Sequence, residues 1–250
     1  MQVLTSLIIS SIAGLSTVLG SIVIFLKFKS NNINKFIVFC LSFSLSIMIG
    51  ISITDLIPNA SYSIITNYNL TKGILICLLP FLCGIILISY LTNKIDKYKY
   101  TSNDLYKLGI LSMITLMLHN LPEGIATFMS SYNNINLGIK LSVAIMLHNI
   151  PEGISIAVPI YYATNNRLLA IKKAFISGLA EPLGAILAFI FLHNYINDSL
   201  INIVLILVAG IMITLSINEI LPQALKYKEN KYIYLGLLIG AIIIIINHTL

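Results

Sequence analysis

Two nearly identical strings of polar side chains sit in otherwise apolar sequence in this chain of 250 residues. The first is MLHNLPEGI, with His119, Asn120, Pro122, Glu123 and Gly124; the second is MLHNIPEGI, with His148, Asn149, Pro151, Glu152 and Gly153. On a helix, positions i and i+4 share a face one turn apart, so each His stands over its Glu with the Asn on the flank. A third acid, Glu181, lies in SGLAEPLGA and is again followed by proline. Imidazole, carboxylate and amide oxygen together suit Zn²⁺, Fe²⁺, Mn²⁺ or Co²⁺ better than Ca²⁺ or a thiophilic copper(I) ion. Pro122 and Pro151 cannot donate to the carbonyls of Leu118 and Leu147, so each helix is expected to kink there and free an oxygen. Gly124 and Gly153 leave room beside each Glu for a neighbouring helix or an ion.

The surroundings make those acids costly. The chain is 58% apolar and 10% charged, with a mean hydropathy of +0.95, whereas an ordinary soluble domain is about a quarter charged. So few ions cannot coat a water-soluble surface. The composition therefore predicts an integral membrane protein and excludes most soluble-enzyme and nucleic-acid classes, despite a net charge of +6. An ionised carboxylate near a bilayer centre costs at least about 2.5 kcal/mol. With no Lys or Arg nearby, a divalent cation is the simplest source of the missing positive charge.

A helix needs about 20 apolar residues to cross a bilayer. Eight segments qualify, at 4–26, 36–57, 73–92, 108–131, 138–160, 174–193, 201–222 and 232–248. The first is too long for a signal-peptide core and carries Lys27 and Lys29 after it rather than before. Of the 15 basic residues, 13 fall in the odd-numbered loops, including Lys35, Lys94, Arg167 and Lys231; only Lys72 and Lys140 lie opposite. The positive-inside rule then puts those loops in the cytoplasm and both termini outside. The longest loop, 93–107, has no metal-binding tract, and Cys40, Cys77 and Cys83 read as small apolar residues in the spans. His193 and His248, near segment ends, read as interfacial or solvated.

An internal repeat links the two ends of the chain. IMIGISITDLIPNA at 47–60 aligns without a gap to IMITLSINEILPQA at 211–224, with 7 of 14 positions identical and Asp55 matching Glu219. The strings close segments 2 and 7, which cross in opposite directions. Segments 1–3 and 6–8 thus form inverted repeats around segments 4–5, an architecture of transporters. Asp55 would lie near the outer end of segment 2 and Glu219 near the inner end of segment 7. They serve either as entrance and exit carboxylates or as hydrogen-bonding groups at helix ends beside Pro58 and Pro222. Met48 and Met212 repeat too and read as packing residues.

Tandem HNLPEG and HNIPEG, followed by GLAEPLGA, resemble the ZIP family of metal permeases in its bacterial GufA-type branch. The likeness covers all eight segments. It implies uptake of zinc, and often iron, manganese or cadmium, towards the cytoplasm through a two-metal site. By position, His119, Asn120, Glu123, His148, Asn149, Glu152 and Glu181 fall on the family's ligands, with Glu123 and Glu152 as the bridging pair. It further implies that helices 1, 4, 5 and 6 move as a block against helices 2, 3, 7 and 8, and that two copies pair. The histidine-rich loop common in the family between segments 3 and 4 is missing from 93–107. Segment 5 also lacks the HExPHE signature of the branch that includes many animal members.

The expectation is an all-α, eight-helix inner-membrane permease, one transmembrane domain over 1–250, carrying divalent metal inward by alternating access. Its partners are the metal, the lipid bilayer and a second copy, with no nucleic acid. Zn²⁺, Fe²⁺, Mn²⁺ or Cd²⁺ is cargo and no prosthetic cofactor is expected. Because imidazole and carboxylate must lose protons to bind metal, uptake should weaken at low pH. The rivals are a membrane-embedded metalloenzyme using the same ions, disfavoured by the lack of HExxH, and a sensor, disfavoured by the lack of a soluble output domain.

Overall fold

A computed structural model describes residues 2–26, 30–99 and 105–249, and among them there is no β-strand. The described residues form eight rods. α1 is Gln2–Ser21, prolonged by a 3-10 turn to Phe25. α2 runs Ser30–Ile51, through a π turn at Ser52–Leu56, into Ile57–Asn67. α3 is Leu70–Lys99, α4 Leu105–Asn133 and α5 Ile135–Thr164. α6 comprises Arg167–Gly178 and Ala180–Leu192, interrupted at Leu179. α7 runs Asp198–Leu215, through a π turn at Ser216–Ile220, into Leu221–Lys226, and α8 is Asn230–Thr249.

Six of these rods are long and apolar enough to cross a membrane. α8 adds a shorter apolar stretch, Asn230–Ile246, and α4, at 29 residues, reaches about 43 Å at 1.5 Å per residue. The sides of α1 show what surrounds the bundle. Leu4, Ile8, Ile12, Leu15 and Leu19, at helical spacing, are exposed, while Ser6, Ser10, Ala13, Thr17 and Gly20 are buried. A polar-in, apolar-out stripe is the inverse of a soluble helix and fits a lipid exterior, with small residues at the helix contacts. α5 is capped by Asn134, α6 by Asn166 and α7 by Asn197, each accepting from backbone N–H groups of the first turn.

Several boundaries differ from the sequence reading. α2 does not close at 57 but continues to Asn67, because the π turn precedes Pro58 and places it in the first turn of the next section, where its missing N–H costs nothing. Asp55 therefore lies well inside α2 rather than near its end. Much of 93–107 is helical, since α3 continues to Lys99 and α4 begins at Leu105. α4 and α5 run unbroken through Pro122 and Pro151. Lys27 and Lys29 lie outside the described residues.

The repeat is reproduced in the backbone. The two π turns sit 164 positions apart, as do Pro58 and Pro222, in agreement with the gapless alignment. They also meet through equivalent side chains. Ser52 Oγ lies 3.8 Å from Met212 Sδ, and its counterpart Ser216 Oγ lies 3.7 Å from Met48 Sδ. The repeated methionines are thus packing residues at a twofold-like seam between α2 and α7.

Close backbone approaches divide the rods into two bodies. Gly14 of α1 faces the Gly178 carbonyl of α6, Gly153 of α5 faces that of Thr17 of α1, and Gly184 of α6 faces that of Leu121 of α4. Elsewhere Gly84 and Gly210 knit α3 to α7, Gly236 and Gly240 knit α8 to α2, and Gly73 meets Ile65 across α3 and α2. The nearest neighbours of all 14 glycines, backbone or side chain, lie within the set α1, α4, α5, α6 or within the set α2, α3, α7, α8. Glycine lets helix backbones touch, and any larger residue would wedge them apart. Contacts between the sets are made through side chains instead, as where Ser44 of α2 meets α5.

Candidate metal centre

The polar string of α4 and that of α5 face one another across the first body. His119 Nε2 lies 3.3 Å from Glu152 Oε1, and His148 Nε2 lies 3.5 Å from Glu123 Oε2. Each imidazole thus addresses the carboxylate of the other helix, so the tandem motif is one crosswise arrangement rather than two sites. From α6, Glu181 Oε1 accepts a hydrogen bond from Asn149 Nδ2, which also donates to the Ala13 carbonyl of α1 at 3.1 Å. All seven side chains, His119, Asn120, Glu123, His148, Asn149, Glu152 and Glu181, are fully buried.

The local fold explains how three carboxylates come this close. Gly124 lies directly against the Glu181 carbonyl and Gly153 against that of Thr17, so the glycine beside each motif Glu is the contact that seats α6 and α1. Ser10 Oγ sits 3.5 Å from both the Gly124 and Glu181 carbonyls. From the second body, Ser44 Oγ of α2 donates to the His148 carbonyl at 3.3 Å.

The remaining lone pairs define what the centre can do. Glu123 Oε1, Glu152 Oε2, Glu181 Oε2, Asn149 Oδ1 and both polar atoms of Asn120 have no hydrogen-bond partner. A buried orphan of this kind costs about 1–3 kcal/mol, and more when charged. Among the described residues no three His, Cys, Asp or Glu side chains converge as a ligand set; they are joined two by two. Unpartnered oxygens beside imidazoles are a donor set to which a divalent cation would bring the lacking charge.

Two cavities approach the centre from opposite sides. One, of about 370 Å³, is lined by Asp55 and Asn59 of α2, Lys140 and Leu141 of α5, and Leu205 of α7. A neck of about 10 Å³ shares Ile51, Leu56, Leu141 and Leu205 with it and reaches Glu123 and His148. On the other side lies a pocket of about 20 Å³, lined among others by Ser112, Glu152, Glu219 and Gln223. The two sides are images of one another. A shift of 164 positions between α2 and α7, with 29 between α4 and α5, turns Glu219 into Asp55, Gln223 into Asn59, Glu152 into Glu123 and Ser112 into Leu141. All eleven residues lining the small pocket have their counterparts in the large cavity and its neck. Where the pocket is small, Gln223 Nε2 of α7 donates to Ser112 Oγ of α4 at 3.3 Å.

Asp55 and Glu219 hence lie in the two π turns, one in each of the facing cavities, and neither is at a helix end. His193, in the 3-10 turn after α6, packs its ring 4.9 Å from that of Phe189 and joins no acidic cluster. The sequence reading missed Lys140, Asn59, Gln223 and Ser112. Asn59 and Gln223 were visible in the repeat as matched amides after Pro58 and Pro222; Lys140 was read only as an orienting charge.

The fold and this centre define an all-helical, multi-pass membrane protein with a buried carboxylate–imidazole core between inverted repeats. The sequence model of the ZIP zinc transporter family matches residues 97–248. Over 96% of its length the chain is 40% identical to a protein named zinc transporter ZupT from Oceanobacillus iheyensis, of which it covers 95%. It is 39% identical to a ZupT from Lysinibacillus sphaericus, covering 95% of this chain and 94% of that one. The ZupT from Clostridium perfringens is 34% identical, with 98% and 95% covered. The chain belongs to the ZIP zinc transporter family, a family of transporters rather than enzymes.

Proposed function

We propose that this protein is a zinc-uptake permease of the bacterial inner membrane that works by alternating access through the centre on α4, α5 and α6. The observation that carries the reading is the pair of image-related cavities, one open and one nearly collapsed, meeting at the same His/Glu core. Inverted repeats that exchange conformations convert one arrangement into the other without new contacts. In this reading, which the excess of basic residues in the odd-numbered loops supports, the Asp55 cavity faces outside and the Glu219 pocket faces the cytoplasm.

A hydrated cation enters the larger cavity, which at about 30 Å³ per water holds on the order of a dozen molecules. Asp55 draws it in, and beyond the neck Glu123 and Glu152 supply compensating charge while His119 and His148 replace water as borderline-soft donors. Asn120, Asn149 and Glu181 complete the ligand set. With its charge compensated the loaded centre is released from the electrostatic cost of crossing a low-dielectric barrier. The first body then shifts along its side-chain seam with the second, closing the Asp55 side and opening the Glu219 side. Zinc comes first among the cargoes on the names of the relatives, and iron, manganese and cadmium share the donor preference.

The test is metal influx into proteoliposomes holding a zinc-sensitive dye. Wild type is expected to give saturable influx, lost by more than about a hundredfold in Glu123→Ala and in Glu152→Ala, since even outer-sphere partners of a metal contribute about 10–100-fold. Well-folded wild type that binds zinc stoichiometrically but admits none would overturn the reading.

A further inference from the structure

The two image-related cavities differ in one charge. The small pocket has Glu152 and Glu219 as its charged lining residues; the large cavity and its neck have their counterparts Glu123 and Asp55 and, in addition, Lys140. The counterpart of Lys140 in α4 is Leu111, so the repeat does not demand a cation here. A lysine in the chamber that a divalent cation must cross works against passage if it only repels. Its anchorage suggests a definite role: α5 is fixed at this end by the Asn134 cap and by Gly138 lodged against Ser131, while the Lys140 side chain is exposed to the cavity. The ammonium is therefore a cation on a flexible stem, tied to a rigid point, in the same chamber as one carboxylate.

We propose that Lys140 is a tethered competitor: its ammonium neutralises the Asp55 carboxylate until a divalent cation displaces it, which keeps abundant monovalent cations off the entrance. A tethered ammonium acts at an effective concentration that a free Na⁺ or K⁺ must match to compete. A divalent ion has twice the Coulomb attraction for the carboxylate and displaces it. The inference rests on the uptake reading above and adds a selectivity-setting residue outside the metal centre.

The experiment is zinc influx into dye-loaded proteoliposomes for wild type, Lys140→Gln, Lys140→Arg, Asp55→Asn and the Asp55→Asn/Lys140→Gln double variant. In about 10 mM KCl, Lys140→Gln is expected to lower KM roughly threefold to tenfold with maximal rate unchanged, as removing one charge near a divalent ion predicts. In about 150 mM KCl, where K⁺ competes with zinc at a carboxylate that Lys140 no longer guards and the Debye length is about 8 Å, that gain should shrink while wild type changes little. Lys140→Arg should behave as wild type. In the Asp55→Asn background Lys140→Gln should change KM by less than about twofold, because no carboxylate remains to be contested. An unchanged or raised KM in Lys140→Gln, or an equal gain with and without Asp55, overturns the proposal; the latter result would make Lys140 a simple repulsive charge. Absence of influx in wild type would instead strike the uptake reading itself.

Discussion

Every residue lining the pocket at Glu219 has its counterpart in the cavity at Asp55 or its neck, yet the pocket holds about 20 Å³ and the cavity about 370 Å³. Composition cannot account for the difference, because Leu41 answers to Leu205, Leu215 to Ile51 and Ile220 to Leu56. What differs is where α4 and α5 lean. On the Glu219 side α4 lies against α7, with Ser112 and Gln223 hydrogen-bonded; on the Asp55 side the same pair of surfaces, represented by Leu141 and Asn59, stands apart. On the uptake reading proposed above, that difference of position is what reverses as the two bodies move against one another. Glycine contacts hold each body together, while side chains such as Ser44, Ser112 and Gln223 make the contacts across the boundary.

That contrast between seams can be broken directly. Gly153→Leu would drive its side chain into the Thr17 carbonyl, so the first body cannot assemble around the centre. Overpacking alone costs about 1–3 kcal/mol, and a backbone obstruction lies at or above that range. The variant should fail to accumulate as a monodisperse species in detergent. Ser44→Ala, which removes a hydrogen bond across the boundary, should lower stability by about 1 kcal/mol and leave the protein soluble and folded. If thermal melting shows the two variants equally impaired, the division into a rigid interior and a sliding boundary is wrong.

A smaller effect sharpens the comparison between the cavities. Gln223→Ala removes the hydrogen bond that closes the Glu219 pocket, worth about 1 kcal/mol, which amounts to about a fivefold change in the ratio of the two arrangements. Labelling of an Asn59→Cys probe by a membrane-impermeant thiol reagent should slow accordingly, in a background where Cys40, Cys77 and Cys83 are replaced. Faster labelling would show that Gln223 does not hold this side shut.

Much of this was legible in the sequence, for identifiable reasons. The ligand residues stood out because ionisable groups in an apolar run are expensive, and tandem HNxPEG strings put the His and Glu of each on one face. The inverted repeat was legible because Pro58 and Pro222 anchor a gapless alignment. The crosswise pairing of His119 with Glu152 and His148 with Glu123 was not, since helical periodicity says which face a residue occupies but not which partner that face meets. The π turns were equally hidden: inserting a residue into a helix leaves no mark in a string of Ile, Ser and Leu. Segment 2 was ended ten residues early because the apolar run gives way to Asn59, Ser61 and Tyr62 there, whereas Pro58 opens a further helical section. Lys140 was passed over because a charge near a loop is usually an orienting charge, and only the cavity shows what else it faces.

The account stands on the claim that the two cavities open by turns. Ser112→Cys paired with Gln223→Cys, and Leu141→Cys paired with Asn59→Cys, place thiols at image-related positions in a background lacking the native cysteines. A disulfide needs its Cα atoms within about 7 Å, so each pair can close only when its own cavity is collapsed. The account predicts that both pairs cross-link in separate proteins, that each cross-link stops zinc influx until it is reduced, and that a protein carrying all four thiols never holds both bonds at once. Both bonds in one molecule, or undiminished influx with the Ser112/Gln223 bond intact, would contradict it.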